Sequence, residues 1–150
     1  MDFLTAKIKI KRLSETAHIP QKATPDSAGY DLYSDETILL PAKGYIAVST
    51  GISMEMPSNM EAQVRPRSGL AIKHGITVLN APGTIDADYR GEIKVLLINF
   101  SDKDFLIEKE TRIAQMVFST VSPTTLEEVD ILDDTLRGNG GFGSTGNEKL

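Results

Sequence analysis

Alternating apolar and polar residues predict short β-strands near the start of this chain. Residues 7–11 alternate Lys with Ile, which would turn Ile8 and Ile10 toward a core. Residues 30–33 alternate in the same way, while residues 20–29 hold two prolines and a glycine and are expected to form a loop. The first third of the chain is therefore predicted to be β-structure joined by loops.

The middle of the chain continues this pattern. Residues 45–56 are β-branched at first and then alternate, with Ile52, Met54 and Met56 predicted on one face and Ser53 and Glu55 on the other. Residues 60–65 repeat the alternation. Residues 92–100 are almost wholly apolar, which predicts burial on both faces. With two more strands at 105–107 and 112–121, the pattern indicates an all-β sandwich or barrel.

The bend between residues 75–79 and 92–100 carries most of the candidate chemistry. These two β-rich runs predict a long hairpin, and Pro82-Gly83 marks a turn within it. The bend also carries Asp86, Asp88 and Tyr89. Such acids are either ordinary turn-forming residues or groups held beside a reacting molecule, and the bend alone leaves both interpretations open.

One short helix is predicted after residue 67. Ser68 is the expected N-cap, residues 70–74 form the body, and Gly75 ends the helix. Arg67 stands at its start, where free backbone N–H groups and a guanidinium favour an anion such as phosphate. The alternative is a capped surface helix with a solvated arginine.

The end of the chain is acidic and then glycine-rich. Residues 127–136 are predicted to be a strand or an extended arm, and residues 137–146 contain too many glycines to order on their own. The spacing Gly138-x-Gly140-x-x-Gly143 matches a dinucleotide fingerprint, but no room remains for the helix that it requires. The tail is therefore either disordered or a lid over phosphates. We expect one domain over residues 1–136, with a lid over 137–150.

Composition narrows the range of functions. The chain has 150 residues, a net charge of −5, two histidines and no cysteine. These values exclude disulfides, thiolate metal sites and a His-rich zinc site, and they argue against a general binder of nucleic acid polymers. No apolar run is long enough for a membrane span, and residues 1–11 do not form a secretory signal. A reducing cytoplasm fits this composition.

Five segments taken in order resemble the trimeric dUTPase family. They are residues 28–34, 66–70, 83–91, 112–115 and 137–146. Two of them place a polar residue within an apolar strand, namely Asp31 and Gln115, and either residue alone is weak evidence. The chain departs from the family at Glu110-Thr111, where the family usually has a Gly-Asp turn.

The resemblance implies a jelly-roll-like β-sandwich or barrel, called a β-clip, that assembles as a homotrimer with each site drawn from three subunits. It also implies hydrolysis of dUTP to dUMP and diphosphate, with Mg2+ as cofactor and a water attacking the alpha phosphorus. Such an activity keeps uracil out of DNA and supplies dUMP for thymidylate synthesis.

The resemblance further implies a role for each site residue. Asp86 would be the catalytic base, with Asp88 as second choice, and Asp31 would support the water shell of the metal. The residues implied to bind substrate are Tyr89 at the deoxyribose; Asn80, Thr84, Ile85, Asp86 and Lys94 at uracil; Arg67, Ser68, Gly69 and Gln115 at the inner phosphates; and Arg137, Phe142 and Gly143 in the lid.

Two other functions share part of this pattern. A dCTP deaminase has the same fold and phosphate segment but uses a glutamate as base, for which Glu92 is the nearby candidate. A non-catalytic trimeric scaffold that binds nucleotides would have no need of the base at Asp86.

Overall fold

The computed structural model describes residues 5–146, which form eleven strands and one short helix. The elements in chain order are β1 (Lys9–Arg12), β2 (Tyr30–Tyr33), β3 (Ile38–Leu40), β4 (Tyr45–Ser49), β5 (Ile52–Glu55), β6 (Met60–Arg65), α1 (Ser68–His74), β7 (Ile76–Val78), β8 (Gly83–Ile85), β9 (Lys94–Asn99), β10 (Phe105–Ile107) and β11 (Arg112–Thr120).

The strands form antiparallel sheets that make a β-sandwich-like body. The largest sheet has the order β2-β11-β6-β8, and a second has the order β4-β9-β7. Two further pairs, β1 with β5 and β3 with β10, extend the body. The predicted all-β class is confirmed, and within residues 5–146 the sheets form no closed barrel.

The core lies between these sheets and consists of aliphatic side chains. Leu32, Ile52, Val95 and Ile107 have no exposed surface, and each comes from a different pairing of strands. Because alternate residues of a strand point to opposite faces, strands such as β9 contribute every second side chain to this layer. Full burial of one such side chain contributes about 1.5–3 kcal/mol to the free energy of unfolding.

The predicted strand at residues 45–56 is divided in two. β4 pairs with β9 and β5 pairs with β1, and Gly51 between them has a φ of +70°. The predicted polar face of β5 is wrong for Ser53, which is buried together with Ile52 and Met54. Since the chain changes sheets here, both faces of β5 meet protein.

The prediction that both faces of the strand after residue 92 are buried is met only in part. In β9, Val95 and Leu97 are buried, whereas Leu96 and Ile98 on the other face are half-buried. That face is therefore only partly covered by other residues of the chain.

The helix ends as predicted but begins differently. Gly75 adopts the left-handed conformation at φ +64°, and its N–H bonds to the carbonyl of Ala71. The N-cap is Arg67 rather than Ser68, and its side chain makes no capping bond. Ser68 is the first helical residue, so the predicted cap is wrong. No helix within residues 5–146 is long and apolar enough to cross a membrane.

The predicted hairpin forms, with an additional strand in its bend. β7 pairs with β9, so that Ile76 lies opposite Asn99, while β8 leaves this sheet and pairs with β6. The strands β3 and β8 were not predicted; each is three residues long and pairs with a strand that is not its neighbour in sequence, β3 with β10 and β8 with β6. The bend is therefore held against the largest sheet.

The unusual turn before β11 keeps a conformation suited to glycine. Glu110 has a φ of +71°, and its N–H bonds to the carbonyl of Ser34. Residues with a side chain rarely adopt this left-handed backbone conformation, whereas glycine adopts it without steric cost. Glu110 thus occupies a backbone conformation that the glycine expected from the family resemblance would adopt without strain.

Candidate active site

The bend of the hairpin forms one wall of a pocket of about 410 Å³, which we call the hairpin pocket. Its lining residues are Asn80, Thr84, Ile85, Asp86, Tyr89, Glu92, Ile93, Lys94 and Leu96. The six residues predicted from this stretch all line the pocket. Glu92, Ile93 and Leu96 are additional, and Glu92 entered the sequence argument only through the deaminase alternative.

Local hydrogen bonds fix the turn that carries the acid. The N–H of Tyr89 bonds to the carbonyl of Asp86 at 3.1 Å, and Arg90 Nη1 donates to the carbonyl of Ala87 at 2.7 Å. The Tyr89 hydroxyl donates to the carbonyl of Glu92 at 2.9 Å. The Asp86 carboxylate is exposed, and the Tyr89 ring is 46% exposed. Both groups are therefore accessible to a ligand.

A second pocket, of about 300 Å³, lies at the start of α1, and we call it the arginine pocket. Its lining residues are Ala23, Ser27, Ala28, Gly29, Asp31, Arg67, Ser68, Gly69 and Gln115. It contains every residue predicted to hold the inner phosphates, together with Asp31. The loop residues 23 and 27–29 had no predicted role.

Asp31, in the arginine pocket, contacts two arginines. Its Oδ1 lies 3.3 Å from Arg67 Nε and its Oδ2 lies 3.5 Å from Arg112 Nη1. The Asp31 side chain is 13% exposed, so these ion pairs are partly shielded from water. Sequence reasoning missed this role of Arg112, whose only signal was its place in a family segment.

Gln115 connects β11 to the segment before α1. Its Nε2 donates to the carbonyl of Pro66 at 3.0 Å. A Cβ placed on Gly29 would lie only 2.5 Å from Gln115 Oε1, so a side chain at this position would force the Gln115 side chain to move. The polar residue within an apolar strand is thus part of the wall of the pocket.

The two pockets are separate within one chain. They share no lining residue. Asp86 follows Ile85, which pairs with Ala62 of β6, whereas Arg67 lies five positions beyond Ala62 at the other end of that strand. At about 3.3 Å per residue, this places the acid and the arginine roughly 15 Å or more apart along β6.

The glycine-rich arm lies against neither pocket. Residues 121–139 are all exposed, and Phe142 is fully exposed. The arm's hydrogen bonds beyond residue 121 are local, such as that from Arg137 Nε to the carbonyl of Gly140 at 2.9 Å. The structure therefore does not bring Arg137, Phe142 and Gly143 to the other predicted residues.

One ionisable group outside both pockets has a shifted pKa. Burial raises the pKa of the Asp35 carboxyl, but hydrogen bonds from Ser14 and Thr16 and the charge of Lys109 outweigh this effect. The Ser14 and Thr16 hydroxyls lie 2.5 Å and 2.8 Å from the carboxylate. The pKa of Asp35 is consequently lower than its ordinary value.

Comparison with known proteins identifies relatives over almost the whole chain. The sequence profile of the dUTPase family matches residues 15–146. The deoxyuridine 5′-triphosphate nucleotidohydrolase of Rickettsia typhi is 55% identical over 143 residues, which cover 93% of this chain and 97% of the relative.

Solved structures give the same result for the fold. A variant of the Staphylococcus bacteriophage 80alpha dUTPase with dUpNHpp has a TM-score of 0.88 and 26% identity, covering 95% of this chain and 99% of the other. A variant dUTPase from phage phi11 of S. aureus, described for its structural Mg(II) ion, has a TM-score of 0.79 and 21% identity. It covers 85% of this chain and 99% of its own, and it shows the fold alone.

Proposed function

This chain belongs to the dUTPase family and is a dUTP diphosphatase, and from that premise we propose how its residues hydrolyse dUTP to dUMP and diphosphate. A deaminase is not favoured, because the relatives that match the chain nearly end to end are nucleotidohydrolases. The observation that carries the proposed site is the hairpin pocket, which places Asp86 and Tyr89 on one wall.

The hairpin pocket recognises the nucleoside. Tyr89 stacks on the deoxyribose and leaves no space for a 2′-hydroxyl, which excludes UTP. The backbone at Thr84 and Ile85, together with Asn80 and Lys94, pairs with the uracil edge. Fixed donors and acceptors reject cytosine by roughly 10⁴-fold, because a mismatch leaves buried polar groups unpaired.

The arginine pocket holds the inner phosphates. Arg67 supplies a forked donor, and Ser68, Gly69 and Gln115 complete the site at the start of α1. Because the Asp31 carboxylate already aligns Arg67, little conformational entropy is lost when a phosphate binds.

A second copy of the chain joins the two pockets into one site. Within one chain the acid and the arginine lie in pockets that share no residue, yet hydrolysis requires both at one phosphate. A cyclic homotrimer solves this, since a head-to-tail contact places one copy's hairpin pocket against the next copy's arginine pocket.

Hydrolysis then needs a positioned water and groups that stabilise negative charge on the phosphate oxygens. Asp86 takes a proton from the water that attacks the alpha phosphorus in line with the leaving diphosphate. Arg67 and Gln115 stabilise the charge that develops on the phosphate oxygens. Arg137 binds the terminal phosphate while Phe142 stacks over uracil and Gly143 allows the arm to close, which excludes bulk water.

The residues fit a magnesium ion that is held mainly by the substrate. Residues 5–146 contain no group of three or more acidic or histidine side chains arranged to bind a metal. Asp31 is the one carboxylate in the arginine pocket, and both of its oxygens face arginines, so it would contact the ion's water shell rather than the ion. When bound, Mg2+ supplies charge neutralisation on the phosphates and retains its waters.

Removal of dUTP and supply of dUMP would be the cellular role of this reaction. A cytoplasmic location, which the absence of cysteine favours, stays a prediction.

The purified chain tests the proposal directly. We expect diphosphate release from dUTP that stops with EDTA, no ammonia release from dCTP, and sedimentation at three times the mass of one chain. A monomer that hydrolyses dUTP at full rate would contradict the shared site, and ammonia release from dCTP would contradict the reaction.

A further inference from the structure

Asn139 precedes a glycine in the arm, and this pairing makes an asparagine side chain chemically unstable. Of the five asparagines in the chain, it alone is followed by glycine. The backbone nitrogen of the following residue can attack the side-chain amide, and a residue without a side chain hinders this attack least. The sequence therefore favours loss of the amide at Asn139.

The structure leaves the two residues accessible for this reaction. Asn139 is exposed, and both residues lie outside the helix and the strands. The N–H of Gly140 donates to the carbonyl of Arg137 at 3.0 Å, so this turn hydrogen bond has to open before the nitrogen attacks. Opening one exposed bond reduces the reactive population by about tenfold or less. Arg137 Nε lies 2.9 Å from the carbonyl of the same glycine, and its positive charge favours a nitrogen that has lost its proton.

Asn59 provides a matched comparison within the same chain. It is exposed, and the N–H of the following Met60 donates to the carbonyl of Pro57 at 3.0 Å, so a bond of the same kind closes its turn. Met60, however, has a bulky side chain and begins β6, where pairing with Thr120 fixes its backbone. Gly140 has neither restraint within residues 5–146. The two sites should therefore differ in reactivity although their exposure and turns are alike.

We propose that Asn139 is a modification site at which the side-chain amide is lost and isoaspartate forms, which disables the arm. The nitrogen of Gly140 forms a bond to Cγ of Asn139, and the amide nitrogen leaves with the proton of the Gly140 N–H as ammonia. Water then opens the resulting succinimide ring. Attack of water at Cγ gives ordinary aspartate, whereas attack at the backbone carbonyl of residue 139 gives isoaspartate, whose Cβ and Cγ belong to the main chain.

Isoaspartate at this position changes the spacing of the groups on either side of it. The effect on activity rests on the proposed function, in which Arg137 binds the terminal phosphate and Phe142 stacks over uracil. Isoaspartate adds one carbon atom to the main chain between these two residues, so the spacing that brings both to one substrate is lost. Because a misplacement of about 1 Å can reduce catalysis by about 100-fold, the converted arm should close poorly.

Incubation of the purified enzyme tests the modification site. The wild-type chain is held without nucleotide at mildly alkaline pH, and mass spectrometry follows the replacement of an amide by a carboxylate in each asparagine peptide. We expect Asn139 to convert about tenfold faster than Asn59, or more, and protein L-isoaspartate methyltransferase to label the arm peptide. Equal rates at the two asparagines would overturn the proposal, whether or not the enzyme hydrolyses dUTP.

Kinetics test the effect of isoaspartate on the arm. We expect kcat/KM for dUTP to fall about tenfold or more in converted wild type, and repair by the methyltransferase with its methyl donor to restore it. Asn139→Ser cannot form the succinimide and should keep its own starting activity through the same incubation. Asn139→Asp carries the new charge on an ordinary main chain and should lose much less.

Two results would contradict the isoaspartate assignment. One is a converted enzyme that keeps full activity, and the other is a fresh Asn139→Asp variant that is as impaired as the converted enzyme. A fresh wild-type enzyme that releases no diphosphate from dUTP would instead overturn the proposed function, and the conversion rate at Asn139 would still decide whether the modification site exists.

Discussion

The hairpin pocket and the arginine pocket are built in different ways. The lining of the first comes from residues 80–96, a single stretch of chain. The lining of the second comes from three stretches, at residues 23–31, 67–69 and 115, which ion pairs and a side-chain hydrogen bond hold together. The arginine pocket is therefore organised before ligand binds, while the hairpin pocket still has the exposed acid Asp86 and, within residues 5–146, a buried oxygen of the Glu92 carboxylate that makes no hydrogen bond.

This difference suggests that the two pockets have different functions. A preformed pocket with an aligned arginine suits the phosphate chain, which is common to all nucleoside triphosphates. A pocket with polar groups still to be satisfied suits selection, because only the correct nucleoside pairs with them. Substitutions in the two pockets should therefore have different effects. They can change the rate of turnover, the dependence of activity on a neighbouring copy, or the selectivity for the nucleoside.

The largest effect is expected from the acid in the hairpin pocket. Asp86→Asn keeps the shape of the side chain but removes the base, and kcat for dUTP should fall by about 10³-fold with affinity nearly unchanged. Diphosphate release and equilibrium binding measure the two quantities. Asp88→Asn is the matched control, and a larger loss there would transfer the role of base to Asp88. A large loss of binding in Asp86→Asn would make its role structural.

Mixing two inactive variants tests whether the pockets meet across copies. Asp86→Asn and Arg67→Gln each disable one pocket, and coexpressed chains with different tags can be purified as mixed assemblies. In a head-to-tail trimer, about one site in three of each mixed assembly would pair two intact pockets, so activity should rise about 100-fold above either variant alone. Mixed assemblies that stay inactive would show that both pockets serve one site within a single chain.

How much of each pocket was predictable follows from how it is built. The sequence pattern placed Asp86 and Tyr89 together, because both lie in the bend of one predicted hairpin, and the family resemblance added Lys94. It did not show that Asp31 pairs with Arg67 and Arg112, because strand pairing over long distances in the chain decides which side chains meet.

The same reasoning explains the errors in the predicted fold. The strands β3 and β8 are short and are defined by pairing with strands that are not their neighbours in sequence, and the break at Gly51 depends on a change of partner strand. Ser53 is buried because its strand meets protein on both faces, which alternation alone does not reveal. The glycine-rich arm is exposed and makes only local hydrogen bonds, and its place in the site is still a prediction.

Removing the arm should impair catalysis without destabilising the body. A chain that ends after Leu136 loses the lid, and we expect kcat/KM to fall by about 100-fold because the site stays open to water. The melting temperature should hardly change, since the arm's hydrogen bonds beyond residue 121 are all local. Normal activity in the truncated enzyme would remove Arg137, Phe142 and Gly143 from the site.

The selectivity of the hairpin pocket should depend on the ring at its edge. In Tyr89→Ala the space beside C2′ opens, and UTP should compete about tenfold better against dUTP. Inhibition constants for UTP measure this change, and Tyr89→Phe is the control because it keeps the ring but loses the bond to the carbonyl of Glu92. Unchanged discrimination in Tyr89→Ala would place the sugar elsewhere.

The smallest effect is expected outside both pockets, at Asp35. Its pKa is lowered in the folded chain, so its ionised form stabilises the fold above the ordinary carboxyl pKa, and this stabilisation is lost as the pH falls through the lowered value. Asp35→Asn should therefore reduce the free energy of unfolding at neutral pH by about 1–2 kcal/mol and flatten its fall in acid. Urea unfolding between neutral pH and the acid limit measures both.

Because Ser14, Thr16 and Lys109 contact neither pocket, the kcat and the UTP discrimination of this variant should stay at wild-type values. A change in either would mean that the body and the pockets are energetically coupled, and the contrast between a preformed phosphate pocket and a selective nucleoside pocket would then need a shared structural cause.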